Sequence, residues 1–216
     1  MLFLSLDLGM NYMGFFKIIH KGNGEGLKRL FIGGVHGKEG LTTIKPLKEI
    51  SEEDVPDGCL VMYNCDESEY ISTLNPLYYE SDAGKAVLYL MNHYKPDMYI
   101  ELHCYKQENF KSLTDLDRKD KIGVPPLIEL EKGVLIGSIS PRIRTTKFSK
   151  EDICITLEIP CSPSSESLEV YVNFLKVLAG AKSREDLERK ARKIYPQQVE
   201  TSQRYARIIF GDYPPF

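Results

Sequence analysis

The chain has 216 residues, of which 42% are hydrophobic and 27% are charged, a size and composition typical of a folded domain and not of a disordered or fibrous protein. Its 28 basic residues are outnumbered by 31 acidic residues, and the net charge is -3, so no general positive field favours nucleic acid or anionic lipid as a partner. The apolar runs are much shorter than the ~20 residues that a membrane-spanning helix needs, and we therefore expect neither a membrane nor a nucleic-acid partner.

The first third of the chain predicts short strands separated by turn signals, at residues 2–6, 13–20, 27–35 and 60–63. Residues 21–24 read Lys-Gly-Asn-Gly and accept positive φ, so they predict a hairpin that pairs the second strand with the third and opens a meander. Residues 42–50 predict a short helix, with Pro46 either inside its first turn or limiting its length.

A helix is predicted from residue 81, because apolar residues recur at helical spacing until Lys95-Pro96 interrupts them. A strand at 98–102 follows at once, which is typical of an α/β layer with a partly parallel sheet. The polar stretch 109–131 is interpreted as a long loop near the site.

Two further apolar strands are predicted at 134–139 and 153–159, and two amphipathic helices are predicted at 168–178 and from Ser183 onward. We expect a single α/β domain over residues 1–216. Its central mixed β-sheet would be flanked by helices, with a long loop over the strand ends.

The five cysteines contain no C-x-x-C pair and predict neither a disulfide framework nor a zinc ribbon. Cys104 is expected to point to the opposite face of its strand from His103 and to serve packing. The first apolar residues are interrupted by Asp7 and have neither the basic flank nor the cleavage site of a signal peptide, which favours a protein that is not exported. A cytoplasmic location fits these features.

The most informative segment, residues 31–40, is a strand that runs into a glycine-rich turn. His36 and Glu39 lie three residues apart in it, and side chains with that spacing at the mouth of a helix point the same way. An imidazole and a carboxylate placed in this manner can meet one cation. The pattern is too short to be specific by itself.

Two later strands strengthen the interpretation. The strand at 98–102 ends on His103, and the strand at 153–159 carries Glu158 near its end. Sites in α/β sheets assemble where strands end. Two histidines and one carboxylate leave a position for water, as at a catalytic zinc, and Glu158 would be a base for that water's proton.

Three motifs in this order resemble the zinc carboxypeptidase clan: H-G-x-E at 36–39, (D/E)-x-H at 101–103 and T-x-E at 156–158. The nearest branch is the succinylglutamate desuccinylase and aspartoacylase group. A small archaeal family within the clan is more similar still.

The resemblance implies a zinc-carboxypeptidase-like fold in which His36, Glu39 and His103 bind zinc and Glu158 is the general base and acid. It also implies that Glu101 holds a ligand histidine, which agrees with its position two residues before His103 on the same strand face.

The chain departs from the clan in its arginines. Members usually carry an Asn-Arg pair and a further arginine that bind the substrate carboxylate and polarise the scissile carbonyl. Here a strand ends at Asn64, but no arginine occurs between Arg29 and Arg118. We expect Asn64 to contact substrate with Arg144, or with Arg142 almost equally, since both arginines precede the last predicted strand. Other cations that could polarise the carbonyl are Lys38 and Arg118.

The tyrosine-rich segment 69–79 either walls a pocket or, as we prefer, packs before the helix. His20 and His93 are expected to lie outside the site.

These features predict a zinc-dependent hydrolase that cleaves an amide bond in a small N-acyl amino acid or peptide-like substrate. Zinc would lower the pKa of its water towards ~7 and Glu158 would carry the proton. The alternative is a non-catalytic metal-binding or assembly protein that keeps the fold, and the missing arginines favour it.

Overall fold

The computed structural model describes residues 14–211, which form one α/β domain built on a seven-stranded sheet. Its strands are β1 Gly14–Lys21, β2 Lys28–Gly33, β3 Gly58–Cys65, β4 Met98–Tyr105, β5 Ile128–Glu129, β6 Leu135–Gly137 and β7 Ile153–Pro160. The helices are α1 Gly40–Lys48, α2 Asp82–Tyr94, α3 Phe110–Leu113, α4 Arg118–Ile122, α5 Pro141–Lys147, α6 Ser165–Ala179, α7 Arg184–Ile194 and α8 Pro196–Phe210. The predicted fold class is confirmed, while the strand predicted at 2–6 lies outside the described residues.

The strands follow the order β1-β3-β2-β4-β7-β6-β5. Strands β3, β2, β4 and β7 are parallel to their neighbours in this series, whereas β1, β6 and β5 add antiparallel edges. All eight residues of β4 are buried, as expected for a parallel strand covered on both faces. The carboxyl ends of β2, β4 and β7 therefore meet at one edge of the sheet.

The predicted hairpin is wrong. Gly22 and Gly24 do adopt positive φ, so the chain turns where expected, but β1 pairs with β3 and not with β2. Strand β2 instead lies between β3 and β4. A turn signal fixes where the chain reverses and not which strand becomes the neighbour. The run Leu30-Phe31-Ile32, fully buried on both faces, suits a central strand.

The helices predicted around 42–50 and from residue 81 are confirmed as α1 and α2. Pro46 lies inside α1, and the Ser81 hydroxyl caps α2 by accepting from Gly84 N. The stretch 109–131 is not a plain loop, because α3, α4 and β5 lie within it. No helix among the described residues is long and apolar enough to cross a membrane.

The expectation for the cysteines is also corrected, since a disulfide joins Cys104 to Cys161. The two residues are 57 positions apart in sequence, and only the parallel pairing of β4 with β7 brings them together. The positions of the two cysteines in the sequence do not indicate the bond.

Two glycines allow the turn between β2 and α1 to press against the end of β3. Gly34 has φ +67°, and a Cβ atom there would lie 1.8 Å from the carbonyl oxygen of Cys65. A Cβ atom on Gly40 would lie equally close to the same oxygen. This contact fixes the backbone that carries His36 and Glu39.

We therefore expect Gly40→Ala to lower the free energy of unfolding by about 2 kcal/mol, because the methyl group can be accommodated only by moving backbone. Gly22→Ala is the control. It lies in an exposed turn where an added Cβ meets nothing within 4 Å, and only its positive φ should cost about 1 kcal/mol. Urea denaturation followed by circular dichroism measures both, and equal losses would contradict the assigned contact.

Candidate metal centre

The three predicted ligands converge at the carboxyl edge of the sheet. His36 lies in the turn after β2, Glu39 immediately precedes α1, and His103 belongs to the adjacent strand β4. One ligand atom from each residue lies within 4.8 Å of the others. This is a group that could hold a metal ion.

The Glu39 carboxylate faces both imidazoles. Its Oε1 is 3.5 Å from Nδ1 of His36 and its Oε2 is 3.1 Å from Nδ1 of His103. The two rings are 5.1 Å apart between centroids. Nδ1 of His36 is buried and has no hydrogen-bond partner among residues 14–211, so a lone pair on this atom is available to a cation.

The protonation of the two histidines differs. Burial and the neighbouring charge of His103 lower the pKa of His36, which favours the neutral form that metal binding requires. Burial alone would lower the pKa of His103 as well, but the Glu39 and Glu101 carboxylates outweigh it and raise the pKa of His103 well above its ordinary value. His103 therefore carries a proton that a cation would have to displace.

Glu101 lies against the other nitrogen of the His103 ring, in the position that the resemblance implies. Its Oε2 is 3.4 Å from Nε2 of His103, and its Oε1 accepts a hydrogen bond of 2.9 Å from the Tyr99 hydroxyl. All three side chains are buried. This chain of contacts turns Nδ1 of His103 towards Glu39, as partners behind a metal ligand typically do.

Glu158 pairs in register with His103 across β7 and β4. The residue is half-buried, but its Oε2 is fully buried and has no hydrogen-bond partner in the described part of the chain. Burial raises the pKa of Glu158 to about 7, with His103 opposing and Glu39 reinforcing the shift. A carboxyl group with such a pKa can both accept and return a proton near neutrality.

These side chains open into a cleft of about 860 Å³, a volume suited to a small molecule. Besides the site residues, the cleft is walled by residues of the 70–74 segment and by residues between 104 and 127, from the end of β4 onward, which include Leu113, Val124 and Leu127. The tyrosine-rich segment 69–79 thus contributes both to the cleft wall and to the core. The Tyr70 ring meets the His36 ring edge to face at 5.2 Å, while Tyr78 is buried in the core.

The structure does not bring Arg144 to the cleft. Its guanidinium is buried and donates to the backbone carbonyls of the turn that follows α5, at Ser149, Lys150 and Asp152. This arginine stabilises a turn, and the expectation that it contacts substrate is not met.

Arg142 and Asn64 are also placed elsewhere. Arg142 is exposed and stacks over the Tyr79 ring at 5.9 Å. Asn64 is fully buried, where its Oδ1 accepts from the Thr43 hydroxyl at 2.6 Å and its amide donates to Gly40 O. It ties β3 to α1 and has no access to the cleft.

Arg118 and Lys38 are the candidate cations that do line the cleft. Lys38 is exposed and lies 3.7 Å from Glu67. Arg118 donates from Nη1 to Pro125 O at 2.7 Å, and its Nε is buried with no hydrogen-bond partner in the described range. Burial lowers the pKa of Arg118.

Sequence reasoning missed Tyr99, and it preferred a packing role for the segment that contains Tyr70. Tyr99 lies two residues before Glu101 on the same face of β4, so strand periodicity could have indicated it. Tyr70 reaches the site through a loop, and no local pattern predicts that contact.

The raised pKa of Glu158 predicts a pH-dependent stability in protein freed of metal with EDTA. An ordinary glutamate ionises near pH 4.5 and this one near 7, so the folded state binds more protons between these values and loses stability as the pH rises. Glu158→Gln, which mimics the neutral form, should gain about 2 kcal/mol relative to wild type between pH 5 and pH 8.

Urea denaturation across this pH range measures the difference. Glu108→Gln, at an exposed position of the same cleft, is the matched control and should follow the wild-type curve. A Glu158→Gln difference that stays constant with pH would show that the carboxyl group ionises normally in the folded protein.

Residues 24–211 match the model of a family described as "Uncharacterized protein conserved in archaea (DUF2119)". A relative from Methanocaldococcus jannaschii, "Uncharacterized protein MJ0501", is 42% identical over 191 residues, which cover 85% of this chain and 92% of the relative. Among solved structures, a metallo-carboxypeptidase from Pseudomonas aeruginosa in complex with (2-guanidinoethylmercapto)succinic acid is similar, with a TM-score of 0.41 and 13% identity. The match covers 80% of this chain and spans 61% of that carboxypeptidase. The chain belongs to this archaeal family, whose model it matches over residues 24–211.

Proposed function

We propose that this protein is a zinc-dependent hydrolase of the zinc carboxypeptidase clan that cleaves an amide bond in a small N-acyl amino acid or peptide-like substrate. One observation carries the proposal. Two imidazoles and a carboxylate converge at the strand ends, and a buried carboxyl group with a pKa of about 7 faces the same cleft. Ligands and proton carrier are thus found together.

The donor set favours zinc. Imidazole nitrogen and carboxylate oxygen are ordinary zinc ligands, and three protein ligands typify catalytic and not structural zinc sites. His36, Glu39 and His103 would hold the ion, and Glu101 keeps the His103 ring in orientation. A bound zinc ion would supply Lewis-acid activation of water and of the scissile carbonyl.

Glu158 carries the proton in this proposal. With a pKa of about 7, both forms of the carboxyl group are populated near neutral pH. The ionised form accepts a proton from the attacking water, and the neutral form then donates it to the departing amine. Because Glu158 lines the cleft, its carboxyl group can exchange a proton with a molecule bound there.

Arg118 takes the place that the sequence assigned to Arg144 or Arg142. Among the arginines of the described residues it is the one that lines the cleft, and its Nη1 contact with Pro125 O directs the guanidinium. A guanidinium that lines the cleft supports a role in binding a substrate carboxylate or the negative charge that develops on the carbonyl oxygen.

The alternative is a non-catalytic protein in which the same residues serve only structure. The 3.1 Å contact between Glu39 and a protonated His103 favours it, because that ion pair can satisfy both buried groups without a metal. Metal content therefore separates a metal-free structural role from the proposed function, and activity separates a non-catalytic metal-binding protein from it.

The first test is metal analysis of purified protein and its variants. We expect near-stoichiometric zinc in wild type, retained in Glu158→Gln and lost in His103→Ala. His93→Ala is the control, since this histidine stacks on Tyr89 on the surface of α2 and should leave the zinc content unchanged. Folded wild type that takes up no zinc when it is supplied would contradict the proposal.

A screen of N-acyl amino acids with zinc-loaded protein then identifies the substrate. For the best substrate, Glu158→Gln should lower kcat by about 10³-fold while zinc stays bound, which is the usual scale for a general base. Full activity in this variant would exclude Glu158 as the proton carrier.

With the same substrate, Arg118→Gln should lower kcat/KM by about 100-fold or more, as expected when a charged hydrogen bond to substrate or transition state is lost. Arg142→Gln is the matched control, because Arg142 is an exposed arginine outside the cleft, and this change should leave kcat/KM unchanged. Equal effects of the two changes would refute the assignment of Arg118.

A further inference from the structure

We infer that the Cys104–Cys161 disulfide is a positioning element of the metal centre, and that its reduction weakens the binding of a divalent cation there. This inference rests on the metal site of the proposed function. The bond lies next to that site, since Cys104 directly follows His103 and Cys161 comes three residues after Glu158.

The disulfide closes the open end of the β4–β7 ladder. His103 and Glu158 are paired in register, and the last backbone contact beyond them is the hydrogen bond of 2.9 Å from Cys161 N to Tyr105 O. After this point the segment that follows β4 continues over the cleft, and the segment that follows β7 enters α6. A strand end with no further pairing opens easily, and here the covalent bond prevents it.

A third segment meets the same residue. The Thr42 hydroxyl, in the first turn of α1 and three residues after Glu39, donates to Cys161 O at 3.1 Å. Cys161 is therefore joined to β4 by the disulfide, to β7 by the chain and to α1 by this hydrogen bond. These are the segments that carry His103, Glu158 and Glu39.

The spacing of these segments sets the spacing of the ligands. Metal sites tolerate displacements of only about 0.5 Å before affinity falls, and partners that hold ligands in orientation commonly contribute 10- to 100-fold to metal affinity. Opening the end of β4 would move His103 away from Glu39. The bond should therefore affect cation affinity and not only global stability.

The disulfide is also accessible. Cys161 is exposed, and both bonded residues line the cleft. In contrast, the free cysteines Cys65 and Cys154 are buried. A small dithiol can therefore reach this sulfur pair from the solvent side.

The reduction is a two-electron exchange with a dithiol. A thiolate of the reductant attacks Sγ of Cys161, the S–S bond breaks, and Cys104 leaves as a thiolate that takes up a proton. The second thiol of the reductant then displaces Cys161, so the protein gains two electrons and two protons and the reductant becomes a disulfide.

The test compares zinc affinity, by competition with a chelator, in oxidised wild type and in the double variant Cys104→Ala/Cys161→Ala. We expect the double variant to bind about tenfold more weakly and its Co²⁺ complex to have an altered visible spectrum. Cys59→Ala is the matched control, because it removes a half-buried free sulfur at the amino end of β3, away from the carboxyl edge that carries the ligands, and should change neither readout.

Wild type reduced with a phosphine supplies a second measurement that needs no substitution. Its zinc affinity should fall and recover on reoxidation. An unchanged affinity and cobalt spectrum in both the double variant and the reduced protein would overturn the inference while leaving the proposed function intact. Oxidised wild type that binds no zinc would overturn both.

Discussion

The Glu39 carboxylate lies between two imidazoles, with Nδ1 of His36 at 3.5 Å from one oxygen and Nδ1 of His103 at 3.1 Å from the other. The rest of the site depends on this arrangement. It requires that the turn after β2 press closely on β3, which only glycine permits at positions 34 and 40. It also requires that β2 and β4 be neighbours, so that the imidazoles approach from adjacent strand ends. The fold thus brings the donor atoms together before any ligand binds.

Three carboxyl groups share this cluster with one protonated imidazole. His103 is surrounded in a buried region by the carboxyl groups of Glu39, Glu101 and Glu158. Its pKa is raised, so the protonated ring contributes one positive charge at most. His36 contributes none when neutral, as its lowered pKa favours. Buried carboxylates without compensation are costly, and the pKa of about 7 for Glu158 is one result of that cost. A divalent ion between the imidazoles would offset the excess and displace the proton of His103.

The sequence predicts the local parts of this site and not the distant ones. The pair at 36 and 39 and the histidine near the carboxyl end of a strand were predictable, because strand ends and i,i+3 spacing follow from short-range rules. The placement of Arg144 was not. Arg144 precedes the last long strand as expected, but the carbonyls after α5 bind its guanidinium. Likewise the disulfide and the β1–β3 pairing arise from strand order, which short-range signals do not encode.

The segment between β4 and β5 presents a cation to the cleft. This segment was interpreted as a loop, but it folds into α3 and α4 and is anchored by a hydrogen bond of 2.8 Å from Leu127 N to Leu113 O. Its carbonyl at Pro125 holds Arg118. The cation therefore comes from a surface segment, whereas the candidate ligands come from the sheet edge. Because the two are carried by separate parts of the fold, residues 106–127 can change while the sheet edge is preserved.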